Sequence, residues 1–157
     1  MKEKRKNKAE VLFWSIALPG FGQLLNGKYL KGIVLIALEF IVNVKGRINE
    51  VIMYSFLGQM ELAIKSADYL WIMFYPCLYL FAIWDAYRDA GGNNQPFNFI
   101  PYVFSAYIGT IGVIYSSTFT MGGYYIGPVF LPIIGMVLGF VIGQLIRNIL
   151  VFMRFSS

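Results

Sequence analysis

Residues 90–146 read AGGNNQPFNFIPYVFSAYIGTIGVIYSSTFTMGGYYIGPVFLPIIGMVLGFVIGQLI, 57 consecutive positions without one charged side chain. A helix rises about 1.5 Å per residue, so a hydrocarbon layer ~30 Å thick takes roughly 20 residues, and this run is long enough for two crossings. The break falls at Thr120-Met121-Gly122-Gly123-Tyr124-Tyr125-Ile126-Gly127-Pro128. Paired glycines and a proline mark a turn there, and tyrosines suit the headgroup level. The expectation is two transmembrane helices over 98–119 and 128–152, with Phe99 to Phe119 and Val129 to Ile149 as their apolar bodies.

The rest of the composition agrees with a membrane. Of 157 residues, 58% are apolar and 13% charged, about half the charge of an ordinary soluble domain. Disorder and coiled coil are excluded on the same ground. There is no histidine and one cysteine, Cys77, which removes histidine-based triads, a disulfide framework and zinc sites built from Cys and His. No cofactor is implied.

Upstream, Tyr69 to Trp84 is an uncharged run closed by Asp68 and Asp85 and flanked by interfacial aromatics. It predicts a third span over 67–88, kinked rather than broken at Pro76. Gly32 to Val44 is apolar apart from Glu39 and Asn43, and reaches the thickness of a bilayer only by borrowing from Tyr29 and Ile48, with Lys31, Lys45 and Arg47 snorkelling at its ends. Beyond it, Ile48, Val51, Ile52, Phe56, Met60 and Ile64 recur at helical spacing among polar residues, which describes one amphipathic interfacial helix over 48–66. Cys77, in an apolar run, is expected to be buried.

The first apolar segment, Val11 to Leu25, is interrupted by Pro19-Gly20 and is too short to cross comfortably. It reads as re-entrant, with a crossing as the alternative. A cleavable leader is the third reading, since Lys2, Lys4, Arg5, Lys6 and Lys8 precede an apolar core and Ser15-Ile16-Ala17 has small-x-small character. Cytoplasmic loops collect Lys and Arg. The re-entrant arrangement places ten basic residues inside and three outside, against eight and five for the crossing one. Both keep the amino terminus cytoplasmic. The expected architecture is thus all-α: an integral membrane helical bundle with four full spans and a Gly/Pro-bent amino-terminal segment, multi-pass in the cell membrane. The net charge of +5 points to a membrane surface, with the basic run touching anionic lipid, and not to nucleic acid.

Gly22-Gln23-Leu24-Leu25-Asn26-Gly27-Lys28-Tyr29 comes within one residue of a phosphate-binding loop, but Tyr29 stands where the magnesium-holding hydroxyl belongs, and an apolar helix precedes it instead of a strand. A bent turn is the simpler reading, with Pro19, Gly20, Gly22, Gln23, Gly27 and Gly32 as its residues. Pro19-Gly20-Phe21-Gly22-Gln23 followed by Asn26-Gly27-Lys28-Tyr29-Leu30-Lys31-Gly32 and an apolar helix resembles the opening of the small two-transmembrane-helix domain family, widespread in bacterial membrane proteins. The resemblance covers residues 9–44. It implies a helical hairpin with its polar turn near one membrane face. Animal members carry an Asp-Arg-Phe type motif where this chain has Asn26-Gly27-Lys28-Tyr29, so no receptor-like role is implied. The remaining spans resemble, loosely, bacterial multi-span proteins with a segment like Trp84-Asp85-Ala86-Tyr87.

Three further groups stand out. Glu39 is an intramembrane carboxylate, which must be paired, hydrated or neutralised; Asn43 one turn on and Arg147 of the last helix are its candidate partners. The alternatives for it are packing glue and a proton or solute pathway. Asp85, Arg88 and Asp89 share a helix face, on the same side of the membrane as Lys28 and Lys31; the readings are separately solvated helix ends, the commoner case, and a cross-loop ion pair. Gly135, Gly139 and Gly143, with Ser105 and Gly109 in the preceding helix, follow small-xxx-small spacing, which predicts close packing of these helices or of two copies of the chain. The polar inventory supports no recognisable catalysis. The functional expectation is a non-enzymatic accessory or scaffold contacting lipid or a membrane partner complex; the rival is a small transporter or channel subunit using Glu39.

Overall fold

The computed structural model describes residues 7–92 and 95–156. The basic residues Lys2, Lys4, Arg5 and Lys6 lie outside the described residues. The described chain is largely helical. Asn7 starts α1 (Lys8–Ala17) by accepting a hydrogen bond from Ala9 N, an N-cap that satisfies one of the first-turn donors. After Pro19-Gly20 comes the single-turn helix α2 (Phe21–Leu25), and then α3 (Tyr29–Gly46). Arg47, at φ 55°, redirects the chain into α4 (Ile48–Phe56), and α5 (Met60–Ser66) follows. The single amphipathic helix expected over 48–66 is therefore two, because Gly58 takes φ +74° and ends the first. The apolar period continues across that glycine, which hides the break from a periodicity argument.

Asp68 caps α6 (Tyr69–Ile72) by accepting from Leu70 N. The chain then continues through Met73 and Phe74, both with right-handed helical dihedrals, into α7 (Tyr75–Asp89). Pro76 sits in the first turn of α7, where a missing N–H leaves no intrahelical bond unmade. The helical run Tyr69–Asp89 is 21 residues, about 31 Å by helical rise, which matches the hydrocarbon thickness.

α8 (Ile100–Tyr115) is joined by the strands β1 (Thr120–Met121) and β2 (Tyr124–Tyr125) to α9 (Gly127–Ser156). Thr120 pairs with Tyr125 and Met121 with Tyr124, which leaves Gly122-Gly123 as a two-residue turn at φ +61° and +85°, the left-handed geometry that tight hairpins favour. α8 and α9 pack along their length. An added Cβ would come within 2.7 Å of Ile108 O at Gly135, 2.7 Å of Ser105 Cα at Gly139 and 2.6 Å of Pro101 Cα at Gly143, and at Gly109 it would meet Met136. Ser105 Oγ donates to Met136 O at 2.7 Å. The small-residue stripe thus lies inside the chain, between its own last two helices.

Among the described residues, two helices are long and apolar enough to cross a membrane, Tyr69–Asp89 and Gly127–Arg154. The expectation of four is met only in part. α8 has 16 residues, about 24 Å, because its helix ends at Tyr115 and Ser116 to Phe119 form the approach to the strand turn. α3 has 18 residues but carries Lys31, Glu39 and Lys45. Val42, Ile48, Ile72 and Val113 form a buried cluster joining α3, α4, α6 and α8 at one end of the bundle.

Candidate functional site

The polar cluster at the opposite end is built by the turn between α2 and α3 and by the last two turns of α7. At Gly20 the chain takes φ +104°, and a Cβ there would lie 2.6 Å from Gly32 O. Glycine at both positions therefore lets α2 lie against α3. Gly22 carries α2 onto two neighbours at once: an added Cβ would collide with Ser15 Oγ of α1 and come within 2.8 Å of Ala86 Cβ of α7. Pro19 is fully buried beneath this turn. Gly27 turns the chain at φ +72° in open space.

This close approach delivers three side chains to α7. Gln23 Nε2 donates to Ala82 O at 2.8 Å and to Asp85 Oδ2 at 3.3 Å, and Asn26 Nδ2 donates to Ala86 O at 2.8 Å. Lys31 Nζ lies 2.9 Å from Asp85 Oδ1, 3.1 Å from Oδ2 and 3.3 Å from Asp89 Oδ2. Within α7, Arg88 Nη2 donates to Asp85 Oδ1 at 3.0 Å and lies 3.8 Å from Asp89 Oδ1, while its guanidinium sits 4.3 Å from the centre of the Trp84 ring. Trp84 in turn donates to Asn98 Oδ1 at 3.3 Å.

Asp85 is the hub, only 2% exposed. A buried carboxylate is costly unless paired and hydrogen-bonded; here two cations and an amide supply that. Lys28 is exposed at the start of α3 and joins no ion pair among the described residues. With both its oxygens engaged, Asp85 is fitted to fasten helices.

Glu39 lies eight residues beyond Lys31, about 12 Å deeper along α3. It is buried, 6% exposed, and its Oε2 has no hydrogen-bond partner. The Tyr75 side chain lies beside the carboxylate, and the Tyr79 ring stacks on Tyr75 at 5.7 Å. Both expected partners are engaged elsewhere. Asn43 Nδ2 donates to Asn49 Oδ1 at 3.3 Å, and Arg147 donates to Pro96 O at 3.4 Å and to Gln95 Oε1. Cys77, expected to be buried, is exposed, 3.8 Å from Thr110 Oγ1. The described residues contain no cluster of three or more His, Cys, Asp or Glu side chains fit to hold a metal.

The backbone acceptors Ala82 O and Ala86 O are the part of this site that sequence reasoning missed. A signal was present: Ala82 and Ala86 are one turn apart on either side of Asp85, and only side chains this small let another segment reach the backbone. Compared with protein-family models, with curated proteins and with solved structures, the chain matches none.

Proposed function

We propose that the chain is a non-enzymatic, multi-pass membrane scaffold. In this reading it has four spans, a cytoplasmic amino terminus touching anionic lipid, and a bent hairpin over residues 9–44 of the two-transmembrane-helix kind, latched to α7 on the cytoplasmic side. The observation that carries the reading is the direction of the turn's polar side chains. Gln23, Asn26 and Lys31 all donate inward to α7, so the Gly-rich motif is spent on joining helices and none of those donors is held open for a substrate. Its membrane setting is supported by the low burial of the last helix, where 22% of the apolar window of Gly127–Arg154 is buried, against 39% for Tyr69–Asp89. A core helix of a soluble domain is mostly covered, whereas a helix whose apolar face looks outward calls for an apolar solvent. On this view the exposed apolar faces contact lipid, a second copy or a membrane partner complex.

The buried Glu39, whose Oε2 lacks a hydrogen-bond partner, favours a second reading, a small transporter or channel subunit in which that carboxylate serves a polar pathway. Vesicles reconstituted with the full chain separate the two. The scaffold reading expects no proton or ion flux above that of empty vesicles. Flux in the wild type that is lost in a folded Glu39→Gln variant would establish the transport reading instead.

A further inference from the structure

α7 and α9 face each other across an apolar trough of about 690 Å³, with Ser105 and Val113 of α8 and the ends of α1 and α4 completing its walls. Along the helical run of α6 and α7 its wall extends from Ile72 through Tyr79 to Ile83, about 16 Å; along α9 it extends from Val129 through Ile133 to Val141, about 18 Å. That length is close to half of the ~30 Å hydrocarbon layer, the depth of one leaflet. Ile16, Ile52, Ile133 and Val137 at its rim are exposed, so it opens sideways, in the direction from which a lipid chain enters.

The lining decides what fits. Three of its residues carry side-chain oxygens, Ser105, Tyr75 and Tyr79. Ser105 donates to Met136 O and Tyr79 donates to Ile16 O at 2.7 Å. The rest of the lining is hydrocarbon and the Met136 thioether, so the trough favours an apolar occupant. An apolar cavity does not retain water, and leaving it empty would forfeit dispersion contacts along its whole wall. The volume lies within the ~300–1,000 Å³ of small-molecule sites. We propose that this trough holds one acyl chain of a membrane phospholipid, lying parallel to α7 and α9. The proposal rests on the membrane setting above and adds a specific lipid site to it.

The test uses the full chain in vesicles of phosphatidylethanolamine and phosphatidylglycerol, with a trace of phosphatidylcholine bearing a photoactivatable diazirine midway along one acyl chain. Leu80 lines the trough yet is shielded from bulk lipid, 8% exposed. The expected result is labelling of Leu80 and Ile83 severalfold above their share by exposure, together with the outward-facing Leu138 and Ile149. Ile133→Trp, which fills the trough, should lower Leu80 labelling severalfold, while Ile134→Trp on the neighbouring outer face should leave it unchanged. Labelling confined to outward-facing residues in a wild-type chain that resists alkaline extraction would overturn the acyl-chain site alone. Release of the chain from the vesicles by alkali would overturn the membrane reading and this site together.

Discussion

Lys31 and Asp85, 54 residues apart in sequence, meet with Nζ 2.9 Å from Oδ1. The lysine side chain is about half exposed and the aspartate is buried, and this asymmetry sets what each contributes. Truncating Asp85 leaves a hole and takes an acceptor from the buried Gln23 amide, while the half-exposed Lys31 and Arg88 turn to water, so Asp85→Ala should cost about 2–3 kcal/mol. Removing Lys31 leaves the carboxylate with Arg88 and Gln23, so Lys31→Met should cost about 1 kcal/mol or less. Reversible unfolding in detergent measures both. Equal small effects would mean that the cluster does not hold the hairpin.

Gly22 and Gly27 separate close approach from turn geometry. A Cβ at Gly22 meets the Ser15 hydroxyl, which is buried and donates to Val11 O, and the Ala86 methyl. Gly22→Ala should cost about 2 kcal/mol by overpacking, and Ser15→Ala or Ala86→Gly in the same chain should each recover part of it. Gly27→Ala meets no neighbour and should cost about 1 kcal/mol, from the left-handed backbone alone. Unfolding midpoints of the set decide the order.

Gly139→Leu tests the contact between α8 and α9. Its side chain would have to pass through the Phe104 and Ser105 backbone, so the hairpin should open and the purified chain should lose its unfolding transition or aggregate. Leu138→Ala, on the exposed neighbouring face, should change stability by about 0.5 kcal/mol or less. Unchanged stability and particle size for Gly139→Leu would contradict the packing described.

How much of this was legible in the sequence depended on range. The α8–α9 hairpin was readable because the missing charge, the stripe at Gly135, Gly139 and Gly143, and the Gly122-Gly123 turn are local signals. The cluster was readable in part: Asp85, Arg88 and Asp89 share a face by helical spacing, and Lys31 follows a turn that returns to the same end of the bundle. Which lysine closes the pair, and that Gln23 and Asn26 seek the backbone of Ala82 and Ala86, depends on how closely α2 approaches α7. Glu39 shows the limit most plainly. Asn43, one turn on, and Arg147 of the last helix were its expected partners, yet Tyr75, 36 positions away, is the residue the fold brings to it. The split at Gly58 escaped because the apolar rhythm of α4 resumes in α5.

The central claim is that the chain threads the bilayer with the latched hairpin and the carboxyl end on the cytoplasmic side and the β1–β2 turn outside. Single cysteines at Lys28, Tyr124 and Arg154, each in a Cys77→Ser background and probed in intact cells with a membrane-impermeant maleimide, test it most directly. The account predicts that the Tyr124→Cys variant is labelled at once, and that the Lys28→Cys and Arg154→Cys variants are labelled only after permeabilisation. Labelling of Lys28→Cys or Arg154→Cys in intact cells, or protection of Tyr124→Cys, would contradict it.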